Sequence, residues 1–141
     1  MKTGGILMSS LYAFLNPTPI CESKEVIVSD RFKNEDGTIR PFKIKQLTQE
    51  DNERIARKCK RPKKKNGNVS MEFDEILYSQ NIILESVIEP DFRNAELCEH
   101  YGTLNPLEVP SKMLTVQEYS VLSNAILQDL EENNLYEEAK N

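Results

Sequence analysis

Apolar side chains are concentrated in one stretch, residues 70–88, where Phe73, Ile76, Ile83, Leu84, Val87 and Ile88 recur at three- and four-residue spacing. That spacing stacks side chains on one face of an α-helix and predicts a central helix here. Ile82 and Leu77 fall off the main stripe. The helix therefore carries apolar surface on more than one face, which is expected of a core helix touched on both sides. If part of that surface stays open, Leu77 and Ile82 are the expected partner contacts, as in a groove for another chain's helix.

Before this helix the pattern changes period. Residues 24–29 are β-branched and alternating, and residues 40–47 alternate Phe42 and Ile44 with Lys43 and Lys45. Both are expected strands, joined across the Asp36-Gly37 turn signal as a β-hairpin with a long loop. Residues 9–15 form a short apolar element, ended by Asn16-Pro17 and expected to dock on the core. Thr48 can cap a helix over 48–60 that Pro62 stops. Asp91 can cap a further helix, with Phe92, Ala95 and Cys98 or Leu97 inward and Gly102 just past its end. Residues 103–114, with two prolines and several leucines, are an expected packed connection. Thr115 and Glu118 have the spacing of a capping box and open a last helix to about Leu135. The sum is a mainly α protein with a small N-terminal β-hairpin, a single helical domain over 1–141. Its N-terminal segment and hairpin occupy 8–47, its helical part 48–135, and a polar tail 136–141.

Charge divides the chain. Residues 1–70 carry fifteen Lys/Arg against eight Asp/Glu, a net of +7, while residues 71–141 carry three against fifteen, a net of −12. Such polarity suits self-association, or two different partners. The positive charge peaks over residues 57–65, where Arg57, Lys58, Lys60, Arg61, Lys63, Lys64 and Lys65 make seven basic residues in nine. This run is expected to be a mobile, solvated loop or a contact for an acidic protein. The alternative is a small nucleic-acid-binding accessory protein, although the run has no aromatic residue to stack on bases and no nucleic-acid motif.

Candidate chemistry adds little. The 141 residues are 38% hydrophobic with a mean hydropathy of −0.56, which fits a solvated globular chain. Cys21, Cys59 and Cys98 are an odd number without a CxxC pair, which disfavours a disulfide framework or a zinc ribbon and fits a reducing cytoplasm. His100 is the single histidine; with Glu96 it makes a two-ligand fragment, short of what zinc takes. No phosphate loop, dinucleotide fingerprint or metalloprotease motif is present. The residues therefore predict no catalytic, cofactor-binding or metal site, and no enzyme. The apolar N-terminus is interrupted by Ser9 and Ser10 and lacks a small-residue cleavage site, and no stretch reaches membrane-spanning length.

Several segments together carry a family resemblance: SLYAFLNP (10–17), EVIVSDRFKNEDGTIRPFKIKQLT (25–48), the basic RKCKR stretch, the central apolar helix, PDFRNAELCEHYG (90–102) and PLEVPSKMLTVQEYSVLSNAI (106–126). The chain resembles the XkdN-like tail assembly chaperones of tailed phages and prophages of Gram-positive bacteria, from about Met8 onward. The resemblance implies a non-enzymatic protein of the host cytoplasm, absent from the finished virion. Its implied partner is the tape measure protein, kept soluble until the tail tube assembles around it, with the tail-tube protein as a further implied partner. It also places the usual start at Met8. A longer form made by ribosomal slippage is implied as well, for which Ala139-Lys140-Asn141 allows a slippery codon run.

Overall fold

Phe42 and Ile44 alternate with Lys43 along one short strand, and that strand forms the middle of a three-stranded antiparallel sheet. A computed structural model describes residues 11–20 and 22–127. In chain order the elements are β1 (Lys24–Val26), β2 (Phe42–Ile44), α1 (Gln49–Arg57), β3 (Lys60–Lys65), β4 (Asn68–Phe73), α2 (Glu75–Ser86), β5 (Val87–Glu89), α3 (Ala95–His100), a 3-10 turn (Pro106–Glu108), α4 (Val109–Met113) and α5 (Val116–Leu127). The first sheet has the order β1-β2-β5, and β3 and β4 form a second sheet of two strands. The expected continuation of the last helix to Leu135, the polar tail with its slippage site, the Met8 start and Cys21 lie outside the described residues.

The expected pairing of the two N-terminal strands is present, with Lys24, Glu25 and Val26 opposite Ile44, Lys43 and Phe42. The fold class needs correction. The chain is an α+β mixture whose strands extend well beyond an N-terminal hairpin. Residues 60–65, expected as helix end and mobile loop, are strand β3, and the first residues of the expected central helix are strand β4. The end of that helix differs too. Val87 and Ile88 leave the helix and pair with β2 as β5. Both are β-branched, and Pro90 disfavours helical backbone just before it. The free side of β2 supplies hydrogen bonds in exchange. Lys45 N–H donates to the Ser86 carbonyl at 2.8 Å, and the buried Ser86 hydroxyl donates to the Lys45 carbonyl at 2.8 Å.

What remains of the central helix, α2, is held between two apolar clusters. Ile83 and Leu84 pack with Val28, Phe42, Ile44, Val87, Phe92, Cys98, Val109, Met113, Leu114, Leu122 and Ala125. Ile82 packs on another side with Ile55 of α1 and Cys59. This two-sided burial explains why the sequence pattern spreads around the helix. Helix α1 is capped as expected. Thr48 Oγ1 accepts from Asp51 N–H at 3.1 Å, and the Asp51 carboxylate accepts from Thr48 N–H at 3.0 Å. Arg54 then clamps α1 to α2 through two hydrogen bonds to Glu85, at 2.7 and 3.1 Å.

Asp91 does not cap α3. Its carboxylate accepts from Arg93 N–H within a turn, and Asn94 is the cap, accepting from Leu97 N–H at 3.1 Å. Phe92 and Cys98 point inward as expected, whereas Ala95 is exposed. Past the helix, Gly102 has φ +70°, Gly102 N–H donates to the Glu99 carbonyl and Thr103 N–H to that of Cys98. These two bonds are a Schellman ending, and its left-handed residue is where glycine carries no steric cost. Residues 11–15 are helical but do not dock on the core; Leu11, Tyr12, Phe14 and Leu15 are all exposed.

The capping box of α5 carries a long-range contact. Thr115 N–H donates to Glu118 Oε1 at 2.9 Å and Glu118 N–H to Thr115 Oγ1 at 3.1 Å. Arg31, on the loop between β1 and β2, then donates to both oxygens of the buried Glu118 carboxylate at 2.6 and 2.8 Å, and to the Met113 carbonyl at 3.1 Å. The Arg31 guanidinium, helped by the Ser29 hydroxyl and the Thr115 amide, holds the Glu118 carboxyl far below its usual range against the opposing effect of burial. Glu118→Ala is expected to cost about 2–3 kcal/mol, from the lost cap and the charge-assisted bonds. A carboxyl whose proton affinity is depressed by folding stabilises above the ordinary carboxylate range and loses that contribution as pH falls below it. Melting curves should therefore show the gap between wild type and Glu118→Ala narrowing from pH 7 to pH 3. A gap that is constant or widens contradicts this.

Candidate protein-binding surface

Asn66-Gly67 joins β3 to β4, with φ of +52° and +80°. Two consecutive left-handed residues make the tight turn whose twist matches paired strands. The register follows from it: Lys65 faces Asn68, Lys64 Val69, Lys63 Ser70, Pro62 Met71, Arg61 Glu72 and Lys60 Phe73. Asn-Gly between these runs was the available sequence signal, masked by the density of lysines before it.

The root of the hairpin is fixed to the body. Asp74 N–H donates to the Cys59 carbonyl at 2.8 Å, the Asp74 carboxylate caps α2 by accepting from Leu77 N–H at 3.0 Å, and Arg61 pairs with Asp74 at 2.5 Å. The Phe73 ring lies 5.4 Å from that of Tyr78, whose hydroxyl donates to Asn52 of α1. Beyond this root every residue of both strands is exposed.

Side chains alternate between the two faces of a strand, and cross-strand partners share a face. One face thus carries Lys60, Pro62, Lys64, Val69, Met71 and Phe73; the other carries Arg61, Lys63, Lys65, Asn68, Ser70 and Glu72. Val69 is 66% exposed, Met71 60% and Phe73 49%, and Ile76 on the first turn of α2 is 74% exposed. An apolar strip of this kind marks an interaction site more often than a single exposed leucine does.

Of the seven basic residues singled out in the sequence, four are paired with carboxylates. Arg57 pairs with Glu53, Lys58 with Glu85, Arg61 with Asp74 and Lys63 with Glu72. Lys60, Lys64 and Lys65 have no carboxylate partner among the described residues. Leu77 is half-buried against the Ile55–Cys59–Ile82 cluster, and Ile82, at 1% exposure, is out of a partner's reach in the folded chain. Open apolar surface next to the basic run lies instead on the hairpin, which the helical periodicity concealed.

Elsewhere the polar side chains have structural roles. His100 is exposed, with its ring edge-on to Tyr101 at 4.8 Å. Cys98 Sγ donates to the Phe92 carbonyl at 3.2 Å, and burial pushes the Cys59 thiol up. Among the described residues no three His, Cys, Asp or Glu gather as a metal site would require, and no helix is long and apolar enough to cross a membrane.

The described residues form a small α+β body that presents a charged, partly apolar hairpin. The chain belongs to the XkdN-like phage tail assembly chaperone family, whose model matches residues 11–140. It is 33% identical to the phage-like element PBSX protein XkdN of Bacillus subtilis (strain 168) over 139 residues, covering 92% of this chain and 93% of the relative. A second Bacillus subtilis (strain 168) relative, the uncharacterized protein YqbN, is 32% identical over 128 residues, 85% of each chain. The crystal structure of YqbN superposes with a TM-score of 0.64 at 28% identity, over 80% of this chain and 89% of that one.

Proposed function

We propose that the chain binds the tape measure protein of its phage in the host cytoplasm and keeps it soluble while the tail tube is built, without catalysing a reaction. Membership of the tail assembly chaperone family supports a role in tail assembly. The exposed apolar side chains support it. A long helical client with apolar stripes aggregates unless they are covered, and the covering protein needs apolar surface of its own. Val69, Met71, Phe73 and Ile76 are such a surface on the described part of the chain. A modest contact area also suits release when tube subunits take over.

Co-expression with the tape measure protein of the same phage tests the role. The soluble fraction of the tape measure should rise several-fold, and the two should co-purify. A tape measure that stays insoluble and unbound removes the proposal.

A further inference from the structure

We propose that the apolar face of the β3–β4 hairpin is a docking platform for an acidic amphipathic helix of a partner protein. The inference depends on the chaperone role only for which protein supplies that helix.

Three features of the hairpin lead to this occupant. Its charges are sorted by face. Arg61 and Lys63 belong to the polar face and are paired, with Asp74 and Glu72. Lys60 and Lys64 share the other face with Val69, Met71 and Phe73, and hold no carboxylate among the described residues. The apolar strip is thus flanked by positive charge uncompensated among the described residues, and an occupant that buries the strip must bring carboxylates to its margins.

The second feature is architectural. Two strands alone are marginal in water, and a sheet with an apolar face needs a further strand layer or a helix packed on it. Added strand at an edge leaves Val69, Met71 and Phe73 uncovered, whereas a helix laid across the face covers them together. The third is size. Six-residue strands are about 20 Å long, which a helix matches with about 13 residues.

A nucleic-acid strand fits less well. Phosphates neutralise Lys60 and Lys64 but leave Val69 and Met71 in water, and Phe73 is the one aromatic side chain on the face.

The test uses the full chain and three labelled 18-residue peptides. One has leucines at helical three- and four-residue spacing and glutamate elsewhere. The second replaces the glutamates by lysines, and the third scrambles the first. In anisotropy titrations the acidic amphipathic peptide should bind at least tenfold tighter than the other two, and hydrogen exchange should slow in the hairpin. Val69→Ser with Met71→Ser, both at exposed positions, should weaken binding at least tenfold at an unchanged melting temperature. Lys60→Glu with Lys64→Glu should reverse the preference towards the lysine peptide. Equal binding of the scrambled peptide, binding untouched by either double variant, or no binding overturns the proposal. So does hairpin protection in the free protein that grows with protein concentration, which assigns the face to a second copy.

The tape measure separates this inference from the chaperone role. If the Val69→Ser/Met71→Ser variant still solubilises the tape measure but no longer binds the acidic peptide, the role stands and the platform serves a different protein; if it also still binds the peptide, the platform falls. If wild type fails to solubilise it while the acidic peptide binds the hairpin, the platform stands and the role falls.

Discussion

Ile82→Glu leaves the chain unfolded at 25 °C. The side chain is 1% exposed and packs with Ile55 and Cys59, both at 0%. Among the described residues no cation is paired into that cluster: Arg54 is engaged by Asp51 and Glu85 at the surface, and Lys58 by Glu85. A carboxylate there would stay charged at a cost of several kcal/mol or take up a proton at a similar cost. Either consumes much of the roughly 5–15 kcal/mol that holds a domain of this size together. Circular dichroism and a thermal melt measure it, and a cooperative transition within 5 °C of wild type would show that the cluster is not the closed unit described. Leu77→Glu is the control. Leu77 sits at the margin of the same cluster, where the new carboxylate can turn to water, so its loss should stay near 1–2 kcal/mol with cooperative unfolding intact.

Phe92→Ala should cost about 4 kcal/mol, the usual range for emptying a buried phenylalanine site. Phe92 is 1% exposed and is among the largest fully buried side chains. It lies three residues past the end of β5 and packs where the first sheet, α2 and the α3–α5 segment meet. Its backbone carbonyl accepts from Cys98 Sγ, which ties the turn before α3 to the helix itself. Little can collapse into the vacated space, because sheet and helices close it from several sides. Chemical denaturation should show the loss as a lower midpoint at unchanged slope. A loss under 1 kcal/mol would mean that this part of the core is loosely packed.

Local grammar was legible wherever one residue and its near neighbours settle a conformation. Thr48 and Thr115 cap helices as their spacing requires, Gly37 turns the loop between β1 and β2, and Gly102 ends α3. Phe42 and Ile44 face the core because alternation is a property of any strand. The family was legible for a related reason, since the motifs that carry it are these structural segments.

The candidate surface was not legible. Phe73 and Ile76 fit the helical stripe of α2 by spacing alone, yet Phe73 belongs to a strand and Ile76 to an open first turn. The lysine run resembled loop because its residues have weak strand preference; the Asn66-Gly67 turn and the pairing with residues 68–73 override that preference.

The sequence by itself determined the Thr48 and Thr115 caps, the Asp36-Gly37 turn, the helix end at Gly102, the N-terminal strand pair and the polarity of charge, and the caps, turn and helix end depend on side chains a few residues apart. Only the tertiary structure decided that Val87 and Ile88 join β2, that Glu118 receives Arg31 across 87 residues, that Ile82 is closed off, and that the apolar strip left open lies on a basic hairpin. Those outcomes depend on which distant backbone offers free hydrogen bonds and which face finds a neighbour, and such competition is resolved only when the whole chain packs.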